Sequence, residues 1–192
     1  PFCFAEGVSI QPEKPAIKIG MSTALSGPAQ ALGREVKLGI ETFFARVNAG
    51  GGVAGHKLIL LALDDQYEPK LTAQNMHTFA DDHQILAVIG NVGTPTAQLS
   101  VPIANENKIL LFGAFTGGNV LRKIPPDRYV INLRAGYEEE TSTMVKGLLS
   151  IGIKPNEIAF FLQNDGYGNS GYRGAIKELI ASGYNDTQNL PV

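Results

Sequence analysis

Ile85-Leu-Ala-Val-Ile-Gly90, followed by Asn91-Val-Gly-Thr-Pro-Thr-Ala97, is the stretch on which the fold turns. The first part is an unbroken apolar run, long enough for a strand and too short for a helix. Apolar residues without polar alternation mark a strand covered on both faces, as in a parallel sheet. The second part is small and polar. Thr94 reads as a helix N-cap and Pro95 as the first helical residue, where a missing N–H does no harm. A helix is expected from Pro95 to about Asn105. A buried strand, a tight loop and a helix N-terminus then stand together at the carboxyl end of a sheet. Free amides at a helix start favour an anion, and open α/β sheets bind ligands at that edge.

The same alternation runs through the flanking chain. Ala16–Ser22 and Lys57–Leu63 read as strands. Between them, from about Ala29 to Asn48, Leu32, Val36, Leu38, Ile40, Phe43, Phe44 and Val47 recur at helical spacing, and the helix stops at Ala49-Gly-Gly-Gly52. Pro69 opens a helix to about Asp82. Lys108–Phe112 and Arg128–Asn132 read as further strands. Repeated β–α units define an α/β class with a doubly wound parallel sheet. Near Arg134 the pattern restarts: a helix from Glu138 to Ile151, a strand over Glu157–Leu162 and a helix over Tyr172–Ser182. Two units are too few to bury a sheet of their own, so this second lobe reads as incomplete. The expected divisions are a 1–15 tail, a 16–133 lobe and the beginning of a second lobe over 134–192.

Bulk properties remove several function classes. A formal net charge of −2 gives no electrostatic footprint for nucleic acid. No apolar run approaches the ~20 residues of a membrane span. Cys3 is the single cysteine, so no intrachain disulfide or cysteine-based metal cluster is available. Phe2, Phe4 and Ala5 read either as the end of a secretory signal peptide or as an unstructured tail. His56, His77 and His83 make no metal-binding pair, and no G-x-S-x-G elbow occurs, so a triad hydrolase has no support. Asp64-Asp65 read as residues that cap a loop and a helix. No cofactor, metal or catalytic residue is expected.

Two loops carry the binding expectation. Gly93-Thr94 and Ala114-Phe115-Thr116 each follow an apolar strand, and all strand ends of a parallel sheet lie on one edge. Thr94 and Thr116 are therefore placed to hydrogen-bond one ligand head group. Gly166-Tyr-Gly-Asn-Ser-Gly171 matches the dinucleotide pattern, with Asp186 downstream. The bulky Tyr167 stands where backbone should meet pyrophosphate, which favours Tyr167 as an aromatic wall of a cleft. Ordinary βα turns and a surface tyrosine remain open as plainer readings.

Taken in order, Ile17–Gly20, Ser26-Gly-Pro28 with Gly33, Asn48–Gly55, Asp64-Asp65, Pro69-Lys70, Val88–Gly90, Pro102–Ala104, Arg134 and Asp165–Gly168 resemble the type I periplasmic binding proteins. The branch is the leucine/isoleucine/valine-binding one, and the resemblance covers the N-terminal half of such a protein. It implies a two-lobed clamshell of Rossmann-like lobes, periplasmic or cell-surface, that captures an amino acid or related carboxylate and delivers it to an ABC transporter permease. It places ligand contacts at Val92, Gly93, Thr94, Ala114, Phe115 and Thr116, with Tyr167 on the closing lobe. The chain departs from the family's usual pattern at Gly93-Thr94, at Phe115, which narrows the pocket, and at the aliphatic Leu32. A sensor domain with the same fold is the alternative reading.

Overall fold

The computed structural model describes residues 14–187. The tail that carries Cys3 and the signal-peptide expectation lies outside them. The elements are β1 (Ile17–Thr23), α1 (Gln30–Ala49), β2 (Leu58–Asp64), α2 (Pro69–Asp81), β3 (Ile85–Ile89), α3 (Thr94–Glu106), β4 (Leu110–Phe112), β5 (Val130–Ile131), α4 (Tyr137–Ser150) and α5 (Gly166–Ala181), with short 3-10 turns at Asn119–Leu121 and Pro155–Glu157.

Among the described residues, five strands form one sheet in the order β2-β1-β3-β4-β5, and every pairing is parallel. The chain first steps from β1 to β2, then returns past β1 to β3. Right-handed crossovers in opposite directions place α1 on one face and α2 and α3 on the other. The reversal makes a switch point between β1 and β3, where the loops at the strand ends diverge and leave a crevice.

The face under α2 and α3 holds the main core, built from Met76, Phe79, Val88, Val101, Leu111 and their neighbours. Gly20 shapes this packing, since a Cβ there would stand 2.9 Å from the Phe79 ring. A second small core, Val145, Ile158, Ala175 and Leu179, joins α4 to α5. Gly174 permits that crossing: a Cβ would lie 2.2 Å from the Glu138 carbonyl oxygen.

Four expectations are corrected. Glu157–Leu162 is not a strand; Pro155–Glu157 turns, Ile158 is extended, and the residues after it join no sheet. A strand needs neighbouring N–H and C=O groups, and among the described residues none stands beside it. Phe161 accordingly lies fully exposed. Helix α5 begins at Gly166, not Tyr172, because Asp165 caps it by accepting from the Tyr167 and Gly168 amides. The G-x-G-x-x-G run is thus the opening of a helix, and among the described residues it lacks the preceding strand of a dinucleotide fingerprint. Thr94 is the first residue of α3, with Gly93 in the capping position at φ 107°. Finally, β4 begins at Leu110 because Lys108 turns with φ 56°.

Candidate functional site

The ends of β3 and β4 are stitched together past the strands themselves. Phe115 N donates to Asn91 O at 2.7 Å, and Gly93 N donates to Phe115 O at 3.3 Å, closing a parallel bridge between Val92 and Phe115. Asn91 anchors the first loop from within. Its amide oxygen accepts from Ser22 N at 3.1 Å, and its amide nitrogen donates to Ser100 Oγ at 3.2 Å. This stitching brings Thr94 and Thr116 together, with 2.6 Å between their hydroxyl oxygens. Both side chains are buried. Thr116 Oγ1 also accepts from Gly118 N at 3.0 Å and lies 3.5 Å from the Tyr137 hydroxyl. Gly118 keeps the space open, since a Cβ there would fall 2.7 Å from Thr94 Cγ2.

A cavity of about 650 Å³ lies between this sheet edge and the α4–α5 pair. Gly93, Phe115 and Tyr167 line it, together with Tyr67, Arg134 and Tyr137. Val92 and Ala114 are buried and do not line it. The threonine pair stands behind the cavity wall, each hydroxyl engaged with the other. Tyr167, on the first turn of α5, meets Tyr137 edge to face, with ring centres 5.0 Å apart. The Arg134 guanidinium stacks over Phe115 at 5.3 Å and Tyr137 at 5.1 Å, and pairs with Glu140 at 3.2 Å.

Around the cavity the charges are individually satisfied. Burial pushes the Asp65 carboxyl above its ordinary value, against hydrogen bonds from Ser22, the Tyr67 amide and Thr72. Asp64 moves the other way: burial opposes the shift, but donation by Ser26 and by the Gln66, Leu25 and Ser26 amides outweighs it. Burial raises the Tyr67 phenol, and nearby Tyr137, Asp165 and Tyr167 add to that. Among the described residues, no three His, Cys, Asp or Glu side chains are grouped to hold a metal, and no helix is long and apolar enough to cross a membrane.

Sequence reasoning did not single out Tyr67 or Tyr137. Tyr67 follows β2 on the same sheet edge as the loops after β3 and β4, so the strand-end rule applied to those loops extends to it. Tyr137 has no comparable local mark; it reaches the threonines because Tyr137 N donates to Gly117 O at 2.9 Å.

A parallel sheet with a switch point and a cavity at its carboxyl edge places the chain among the doubly wound α/β folds. The periplasmic binding protein family matches residues 16–192, and the chain belongs to it. It is similar to the Leu/Ile/Val/Thr-binding protein of Salmonella typhimurium, 26% identical over 182 residues that cover 94% of this chain and 48% of that protein. It is also similar to the crystal structure of a possible leucine/isoleucine/valine-binding protein from Rhodopirellula baltica, with 47% identity and a TM-score of 0.88 over 95% of this chain and 49% of that one. A substrate-binding periplasmic protein from Ralstonia solanacearum superposes with a TM-score of 0.80 at 27% identity, over 86% of this chain and 46% of that one. The chain spans about half the length of these relatives. They are binding proteins, not enzymes, and the family is periplasmic.

Proposed function

We propose that this chain forms the head-group half of an extracytoplasmic solute-binding protein that captures a small amino acid and delivers it to an ABC transporter permease. The observation that carries this reading is the Thr94–Thr116 hydroxyl pair, 2.6 Å apart at the N-terminus of α3 and the carboxyl edge of the sheet. One hydroxyl of the pair donates to the other, which leaves one O–H; with the amides of a helix N-terminus it makes a donor set suited to an α-carboxylate. Val92, Gly93 and Ala114 hold the loops that carry the pair. Phe115 and Tyr167 are the apolar walls. On this reading the cavity is the cleft between two lobes, divided near residue 134, and the ligand acts by bridging them, so that contacts made only when closed favour closure. The names of the relatives, which specify leucine, isoleucine, valine and threonine, support an aliphatic amino acid as the guest.

The test is thermal unfolding of the full-length gene product with L-leucine, L-isoleucine, L-valine, L-threonine and simple carboxylates. A ligand at a hundredfold over its Kd adds about 2.7 kcal/mol of stability. Thr94→Ala and Thr116→Ala each remove most of that increment; an increment left intact in both variants means the head group binds elsewhere.

A further inference from the structure

We propose that Tyr67 is a ligand-binding residue of this site, donating its hydroxyl to an acceptor oxygen of the ligand, and that the Asp64–Asp65 pair is the clamp that positions it. This rests on the binding reading above and adds to it a residue from the end of β2.

The corner after β2 has an unusual backbone. Gln66 and Tyr67, neither of them glycine, are consecutive residues in the left-handed region, at φ 54° and 68°. L-residues with a Cβ are disfavoured there, and two in succession persist only where the surroundings impose them. The imposition comes from the two carboxylates. Asp64 Oδ1 accepts from Gln66 N at 2.9 Å, and Asp65 Oδ1 accepts from Tyr67 N at 2.9 Å. Each carboxylate is fastened in turn. Asp64 accepts from Leu25 N at 2.8 Å in the loop after β1. Asp65 is fully buried and accepts from Ser22 Oγ at 2.8 Å and Thr72 Oγ1 at 3.0 Å. The corner is thereby bound to β1, to the loop after it and to α2.

This corner aims the Tyr67 ring across the switch point onto Gly93. The fit is close: a Cβ at position 93 would stand 2.4 Å from Tyr67 Cε2 and 2.9 Å from its hydroxyl oxygen. Ring and glycine are therefore matched, and both line the cavity with Phe115, Tyr137 and Tyr167. Among the described residues the Tyr67 hydroxyl has no hydrogen-bond partner, whereas Thr94 and Thr116 occupy each other. Surrounded by Tyr137, Tyr167 and Asp165 and partly buried, the phenol stays protonated at neutral pH and so remains a donor. It stands beside Gly93, next in sequence to the threonine that begins α3.

The experiment measures Kd by calorimetry on the full-length protein with L-leucine, L-isoleucine, L-valine and L-threonine as probes, together with the unfolding temperature of each variant. Tyr67→Phe keeps the ring and loses the hydroxyl; it weakens binding of the preferred probe about tenfold with unfolding little changed. Asp64→Ala weakens binding as well. Asp64→Ala combined with Gln66→Gly restores it, because glycine takes the left-handed conformation without a clamp; the unfolding temperatures separate this effect on binding from one on folding. If the wild type binds a probe and Tyr67→Phe binds it equally well, Tyr67 is not a ligand contact and the inference fails alone. If Tyr67→Phe weakens binding but the double variant stays as weak as Asp64→Ala, the clamp is wrong. If the wild type binds none of the probes, the amino-acid reading fails and this one with it.

Discussion

Thr94 and Thr116 each satisfy the other where water is excluded. A buried hydroxyl without a partner is costly, roughly 1–3 kcal/mol, whereas removing both partners with shape retained is nearly neutral. Thr116→Val therefore destabilises the protein by about that amount, since it strands the Thr94 hydroxyl and the Gly118 amide. Thr94→Val, Thr116→Val and the double variant, compared by urea unfolding, give a cycle in which the double loss is smaller than the sum of the singles. An additive result means the hydroxyls do not depend on each other. At this scale the chain was legible in part. Thr94 and Thr116 stand out because they share a context: small, hydroxyl-bearing and following an apolar strand. That they bond to each other was not legible, because a 2.6 Å contact depends on the Val92–Phe115 bridge. Local spacing also misassigned the cap of α3. Thr94 has the right side chain for an N-cap, but its hydroxyl is drawn to Thr116 and Gly93 takes the position instead.

Among elements, one carboxylate ties the sheet side of the molecule to both α4 and α5. Glu138, at the start of α4, accepts from Asn119 Nδ2 in the turn after β4 and from Arg173 Nε of α5 at 2.9 Å. The Asn119 amide first, and Arg173 after it, hold Glu138 below its ordinary value of 4.5, against burial. The unfolded chain thus takes up this proton at a higher pH than the folded one. The resulting stabilisation is present above the ordinary value and is lost as pH falls through the depressed one. Glu138→Gln removes this contribution, so its stability falls less steeply than the wild type's as pH drops from about 5 to 3. Urea midpoints over that range check it. Identical slopes would show that Glu138 is not coupled to folding; Asp64, depressed as well, is common to both proteins and drops out of the comparison. The first three strands and α1 and α2 fell within a residue or so of their sequence-read limits, because periodicity and terminal Gly and Pro signals agree there. The segment after Pro155 did not, since apolar content alone does not make a strand when no partner stands beside it.

At the scale of the molecule, the apolar surface is not fully covered. Phe161, Ile151 and Leu133 are exposed large apolar residues, at 106%, 76% and 72% of their full accessible area. Exposed apolar area of this kind marks a surface made to be covered. The chain of 192 residues is therefore expected to bind the dye ANS strongly. Phe161→Ser reduces that fluorescence without lowering the unfolding midpoint, because Phe161 is fully exposed. A lowered midpoint would show that Phe161 packs in solution.

The sequence by itself determined the α/β class, the parallel winding and the edge of the sheet on which the cavity opens. These follow from short-range patterns: apolar runs, helical spacing and the residues that start and stop helices. Tertiary structure alone decided which groups converge there. It paired the two threonines, turned the apparent dinucleotide loop into the first turn of α5, and set Tyr67 over Gly93 through a corner held by Asp64 and Asp65. Each of these contacts joins residues from separate strand ends, and only packing of the whole sheet fixes the distances between them.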